Sequence, residues 1–238
     1  QFLLHAGVLF VVSLFLSVAL GLSAIETGVR LLPLSVTLLA AAIGIPKLFP
    51  QASPRLVVRL GLLSLLAGTV VLLGALDADA GAEIVFVPML LVGLGIGALA
   101  SQLGAVTVSA VPDDQSPEVG GVQNTMTNLG ASLGTALAGS LLIATLTTSF
   151  LTNVQQSEAI PASAKEQAQV ELASGIPFIS DADLEDALEE AGASSETTDA
   201  AVDANADARL DGLRSALAIL AVLAVLALFL AQSIPTRP

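Results

Sequence analysis

The sequence predicts an all-α, polytopic membrane protein: a six-transmembrane-helix bundle with a long acidic external segment. Three observations carry this. The chain is 54% hydrophobic and only 12% charged, with a mean hydropathy of +0.85. A soluble domain carries about a quarter charged residues, so much of this surface faces something other than water. Six stretches reach the roughly 20 apolar residues that a helix needs to cross a hydrocarbon core about 30 Å thick. The acidic residues are also segregated: of 21, 14 lie between Thr152 and Asp211, balanced only by Lys165 and Arg209. The net charge of −13 therefore belongs almost wholly to one segment and says nothing about partners.

Taken in order, the stretches run from about Leu3 to Leu22, Val29 to Phe49, Leu56 to Leu76, Ile84 to Val111, Val119 to Leu151 and Leu213 to Ile234. Each must be helical, because lipid offers no partner to backbone N–H and C=O groups. The fourth and fifth exceed the minimum, which predicts tilt or projection past the headgroups. Residues 1–151 thus hold five membrane helices and 213–234 the sixth, with 235–238 as a cytoplasmic tail. The first five are joined by short links at Ser23–Gly28, Pro50–Pro54, Asp77–Glu83 and Pro112–Glu118, suiting a compact bundle.

Residues 152–212 are too polar to enter lipid. Helices are expected over Ser163–Ala173 and Leu184–Ala191, the second capped by Ser180 or Asp181. The run Ala200–Leu213 reads as a possible outward extension of the last membrane helix. Ser174–Pro177 and Gly192–Ser195 read as breakers. The plain reading of this segment is a solvated external cap; attraction of cations toward the outer mouth is the functional alternative, screened within about 8 Å at physiological salt.

Lys47, Arg55 and Arg59 cluster around the second link, which the positive-inside rule places in the cytoplasm. Alternation then sets the N-terminal end, the Pro112–Glu118 link and Arg237 inside, and the Asp77–Glu83 link and residues 152–212 outside. Arg30 falls on the opposite side to that rule. Glu26 and Arg30, four apart, are placed to pair at the outer surface.

Several function classes drop out. The chain has no cysteine, hence no disulfide or thiolate metal site. It has no basic block for nucleic acid. No catalytic residues, metal site or cofactor are expected, and the chain does not read as an enzyme. His5, the only histidine, reads as a headgroup-level residue rather than a proton relay. No Asp or Glu stands at the centre of a membrane helix, where proton-coupled carriers use an acidic group. The apolar start at Gln1, without an initiator Met or a charged leader region, reads as the start of a fragment cut from a longer chain.

Polarity within the membrane helices is uneven. Leu60–Leu76 carries only Ser64 and Thr69, and Ala216–Ala231 nothing polar; helices apolar all round are content in lipid. The fifth helix instead carries Gln123, Asn124, Thr125, Thr127 and Asn128, then Ser132 and Thr135, with Gly130 and Gly134 among its small residues. The fourth carries Gly93, Gly97, Gln102 and Thr107. Small residues let membrane helices approach closely, which nominates Gly93, Gly97, Gly130 and Gly134 as packing positions. An unpaired amide in hydrocarbon costs several kcal/mol, so the amides either bond across to a neighbouring helix or line an aqueous pathway. Gln102, Thr107, Gln123, Asn124, Thr127 and Asn128 are the candidates for a substrate cavity.

Several stretches together resemble one family. Gly21-Leu-Ser-Ala-Ile-Glu-Thr-Gly28 followed by Leu31-Leu32-Pro33 is similar to an outer loop and helix start found late in fourteen-helix drug:proton antiporters of the major facilitator superfamily. Gly120-Gly121-Val-Gln-Asn124 and Asn128-Leu-Gly130-Ala-Ser-Leu-Gly134, after Pro112, resemble the penultimate helix of that family, which often has an Arg near Thr127 that this chain lacks. The long external segment and Gly212-Leu-Arg-Ser-Ala-Leu217 fit as well. The resemblance covers nearly the whole chain as the C-terminal six-helix half of a major facilitator fold. It implies export of small amphipathic drugs or metabolites in exchange for protons, by alternating access between two six-helix halves. The first, second, fourth and fifth helices of a half would then border the cavity, and the third and sixth would face lipid. The expected partners are the lipid bilayer, the missing N-terminal half, a small-molecule substrate and protons, at the cell membrane. A lipid or metabolite carrier of the same superfamily, and a non-transporting membrane scaffold or sensor, are the competing readings.

Overall fold

The computed structural model describes residues 1–77, 80–108, 116–172 and 175–233, without the side chains of 104–108, 116–117 and 171. The Pro112–Glu118 link, Arg237 and the Ser174 breaker thus fall wholly or largely outside the described residues. The regular elements among the described residues are all helical, the α-helices being α1 (Phe2–Leu14), α2 (Ala24–Leu48), α3 (Pro54–Ala75), α4 (Phe86–Val108), α5 (Ser116–Gln156), α6 (Ala162–Glu171), α7 (Asp181–Glu190) and α8 (Ser195–Leu230). Among the described residues, six helical stretches are long and apolar enough to cross a membrane: Phe2–Ala19, Ala24–Leu48, Pro54–Ala75, Ala82–Leu103, Glu118–Gln156 and Ser195–Ser233.

Local chemistry sets the helix ends. Ser23 caps α2 in a reciprocal box: its hydroxyl accepts from the Glu26 N–H, and the Glu26 carboxylate accepts from the Ser23 N–H at 2.9 Å. Among the described residues no ion pair joins Glu26 to Arg30; the carboxylate instead serves the unpaired N–H groups at the start of its own helix, the nearer demand. Ser53 caps α3, with Pro54 in the first turn where its missing N–H costs nothing. Ser180 and Ser194 cap α7 and α8. The end of α1 widens over Phe15–Ala19, where the Leu20 N–H reaches back five residues to the Phe15 carbonyl.

The membrane helices pack in two series, α2–α4–α3 and α1–α5–α8, joined chiefly where α8 meets α3. Glycines sit at most of these interfaces. Gly93 and Gly97 turn toward α2, where an added Cβ would collide with the carbonyl oxygens of Leu34 and Leu38. Gly61 and Gly95 face each other across α3 and α4, a Cβ on Gly95 falling 2.5 Å from the Gly61 carbonyl. Gly134 abuts the Leu3 carbonyl of α1, and a Cβ on Gly212 of α8 would lie 2.9 Å from the Leu142 carbonyl of α5. With no hydrophobic drive between helices in lipid, such close backbone approach supplies much of the attraction.

At about 1.5 Å per residue, the 41 residues of α5 and the 36 of α8 run well past a 30 Å core. The surplus is packed. Phe150 and Val154 of α5 meet Ala201, Ala204 and Ala208 of α8, with Ile160 and Ile176 completing a second hydrophobic cluster apart from the main core. Residues 195–212 are therefore continuous helix with the last membrane span, and α6 and α7 cover this two-helix stalk. The end of α1, the Asp77 link and the start of α7 meet at the same end of the bundle.

Candidate functional site

The polar side chains of α5 point in two directions. Gln123 and Thr127 line a cleft of about 440 Å³ with Gln1 and Leu3 of the first helix, Leu103 of α4, and Gly130. Gly130 and Gly134 make this possible by bringing α5 against the start of α1. Asn124 and Asn128, each one residue on and so about 100° around the helix, are exposed. The Asn128 amide donates to the Asn124 backbone carbonyl at 3.0 Å and lies 3.5 Å from the Asn124 side-chain oxygen. The hydroxyls are satisfied within α5: Thr125 donates to the Gly121 carbonyl, Thr127 to Gln123 and Thr135 to Ala131.

Gln102 stands apart from this cleft. It is half-buried on α4 and donates to the Ser101 hydroxyl at 3.3 Å, which itself donates to the Ala98 carbonyl. The Thr107 side chain lies outside the described residues. The structure thus brings together Gln123 and Thr127 in one cleft and Asn124 with Asn128 on an adjacent face. Among the described residues, none of the Gln123, Asn124 and Asn128 side chains hydrogen-bonds to another helix.

On the other side of α5, Met126, Leu129, Leu133 and Leu137 are exposed as well, and α2 is barer still along Val29, Leu32, Val36, Leu39 and Ile43. Only 11% of the apolar window of α2 and 22% of that of α5 are buried, against 44% for α3 and 56% for α4. Apolar composition did not foretell this. A leucine satisfies lipid and a neighbouring helix equally, so α3, apolar all round, is well covered by α4 and α8 while α2 is left open.

Sequence reasoning missed a second polar centre. Arg209 of α8 is only 4% exposed; it donates to the Ile179 carbonyl at 2.8 Å and pairs with Asp181 at 2.5 Å. Asn205, one turn earlier, donates to the other Asp181 oxygen at 3.2 Å. This clamps the start of α7 onto the stalk. Nearby, Ser149 donates to Asp211, and Arg214 donates to the Leu76 carbonyl at the end of α3. The available signal was Asn205 and Arg209 four apart on one helix face, Arg209 being one of two bases in an acidic segment. Among the described residues no group of three or more His, Asp or Glu side chains is arranged to hold a metal ion.

No protein-family model matches the chain. Over 136 residues it is 32% identical to the tetracenomycin C resistance and export protein of Streptomyces glaucescens; the match covers 57% of this chain and 25% of that relative. The chain therefore spans well under two thirds of the length of the relative that it matches. Six membrane-length helices and this partial similarity together describe a multi-pass membrane protein related in sequence to a drug export protein.

Proposed function

We propose that the chain is the C-terminal six-helix half of a membrane exporter in the major facilitator superfamily, moving small amphipathic molecules by alternating access. A second half of the same protein would lie against α2 and α5, with substrate bound between the halves near the bilayer midplane. The observation that carries this is the α5 face of Asn124 and Asn128. Its amides make no bond to another helix among the described residues, and they sit in a span otherwise apolar enough for lipid. Left unpaired against hydrocarbon each would cost several kcal/mol, so water, a polar ligand or a polar group of the second half must meet them. Similarity to a resistance and export protein supports the same direction of transport. Proton exchange is part of the proposal; its carboxylate would lie outside this chain, since no acidic residue stands mid-span here. The positive charges at Lys47, Arg55 and Arg59 support a cytoplasmic second link and an external α6–α7 cap at the cell membrane.

The test is efflux from cells expressing the full-length protein, with tetracenomycin C and a cationic dye as trial substrates. Lower accumulation that is abolished by a protonophore supports the proposal. Accumulation equal to that of cells lacking the protein refutes export of these substrates, and efflux insensitive to the protonophore refutes proton coupling.

A further inference from the structure

With the second link cytoplasmic, Arg30 stands toward the external end of α2, where the positive-inside rule disfavours a base. It is exposed, and among the described residues it forms no ion pair with Glu26, one turn before it, or with Glu83. The Glu26 carboxylate is already held by the Ser23 N–H and hydroxyl at 2.9 and 2.7 Å. Arg30 instead lines a cleft of about 480 Å³ between α2 and the start of α4. The other walls are apolar: Val29, Pro33 and Val36 of α2, with Val85, Phe86 and Leu90 across from them. Arg30 follows Ala24, the first residue of α2, by about 9 Å of helix axis, so the cleft reaches inward from the external end. Val29, Leu32 and Val36 also belong to the bare face of α2, against which the second half is proposed to lie. An apolar slot of this volume with one fixed polar group has the makeup of a small-molecule site.

We propose that this cleft is an external-side subsite for amphipathic organic anions, the carboxylate paired with Arg30 and the apolar body lying against Pro33, Val36, Phe86 and Leu90. The inference deepens the export reading and rests on it for the side of the bundle that substrate reaches. Charge complementarity selects the occupant. A guanidinium stays charged throughout the physiological pH range, and its planar fork matches a carboxylate. Glu26 and Glu83 repel an anion at the rim, so attraction begins only at Arg30, one turn deeper than Glu26. The cleft opens toward the proposed second half rather than the bulk bilayer, which favours a small solute over a lipid.

The test is binding of 1-pyrenebutyrate and its neutral amide, 1-pyrenebutyramide, to the full-length protein in phosphatidylcholine nanodiscs, read by fluorescence against empty nanodiscs. The carboxylate is expected to bind about tenfold more tightly, the lower end for a hydrogen bond to a charged group. Arg30→Gln, at an exposed position, should bring that preference below about threefold with amide binding unchanged, and Arg30→Lys should keep part of it. Ala82→Phe, which narrows the cleft, should weaken both probes at an unchanged elution volume; Arg30→Gln decides the matter if that protein does not fold. Equal affinity of the two probes, or a preference that survives Arg30→Gln, overturns the proposal. Binding of neither probe also overturns it, as when side chains of the second half fill the cleft. A preference lost when phosphatidylglycerol replaces half of the phosphatidylcholine assigns the cleft to an anionic lipid and overturns it too. Binding without efflux refutes the export reading alone, and efflux without an Arg30-dependent preference refutes this subsite alone.

Discussion

The clamp at Arg209 predicts an asymmetry between the two halves of one ion pair. Arg209 is almost wholly buried, whereas the Asp181 side chain is 39% exposed. Removing Asp181 leaves a buried guanidinium with the Ile179 carbonyl as its remaining hydrogen-bond acceptor among the described residues, and breaking a buried pair in this way costs about 3–5 kcal/mol. Removing Arg209 strands only a carboxylate that water already reaches, so the loss is that of the charged hydrogen bonds, about 1.5–3 kcal/mol. Asp181→Ala should therefore loosen the α7 cap more than Arg209→Met, by roughly 20-fold in its opening equilibrium from the midpoints of these ranges, at about 1.4 kcal/mol per decade. Amide hydrogen exchange of α7 in the full-length protein in lipid nanodiscs reads this opening directly. Exchange should rise by about three orders of magnitude in Asp181→Ala and by about one and a half in Arg209→Met. The reverse order, or equal effects, would show that the arginine is not desolvated as described.

Glycine substitutions should divide by position. Gly134→Ala pushes a Cβ into the Leu3 carbonyl and should cost about 1–3 kcal/mol as overpacking, lowering the thermal midpoint in detergent. Gly74→Ala meets nothing within 4 Å and should leave that midpoint unchanged or raise it slightly, by about 0.5–1 kcal/mol of helix propensity. Ser23→Ala removes half of the capping box on α2 and should cost about 1 kcal/mol, seen as faster exchange confined to the first turn. Neutralising Glu185, Asp186, Glu189 and Glu190 together should leave efflux of a cationic dye unchanged, since all four are exposed on a helix without a buried residue; reduced efflux would give these charges a part in attracting substrate.

The number of membrane-length helices was legible in hydropathy alone, because a bilayer demands about 20 apolar residues per crossing and accepts little else. The start of α7 at Ser180 is legible in local hydroxyl chemistry, whereas the Ser23–Gly28 stretch, expected as a link, begins α2 behind the Ser23 cap. The degree to which each helix is covered could not be read. The Leu60–Leu76 stretch carries the same residue types as a lipid-facing helix, yet Leu62, Leu65 and Leu72 are buried. The continuity of α8 was half legible: Ala200–Leu213 has helical composition, but the turn at Gly192 and the cap at Ser194 put the start at Ser195. The split of the α5 polar residues into a cleft pair and an outward pair depends on where α1 packs, which Gly130 and Gly134 hinted at without naming the partner. The Arg209–Asp181 clamp spans 28 residues across two helices, and no local pattern announces such a pair.

Transport along this wall requires that the outward amides of α5 be wetted. Cysteines placed singly at Asn124 and Asn128 in a full-length protein otherwise free of reactive thiols, with Leu226 on α8 as the lipid-side control, can be probed with a membrane-impermeant maleimide. Both α5 positions are expected to react in at least one conformational state, more slowly with substrate bound, while position 226 stays unmodified. Failure of both to react in every state, with and without substrate, would place these amides in a dry interface and contradict the proposed transport wall.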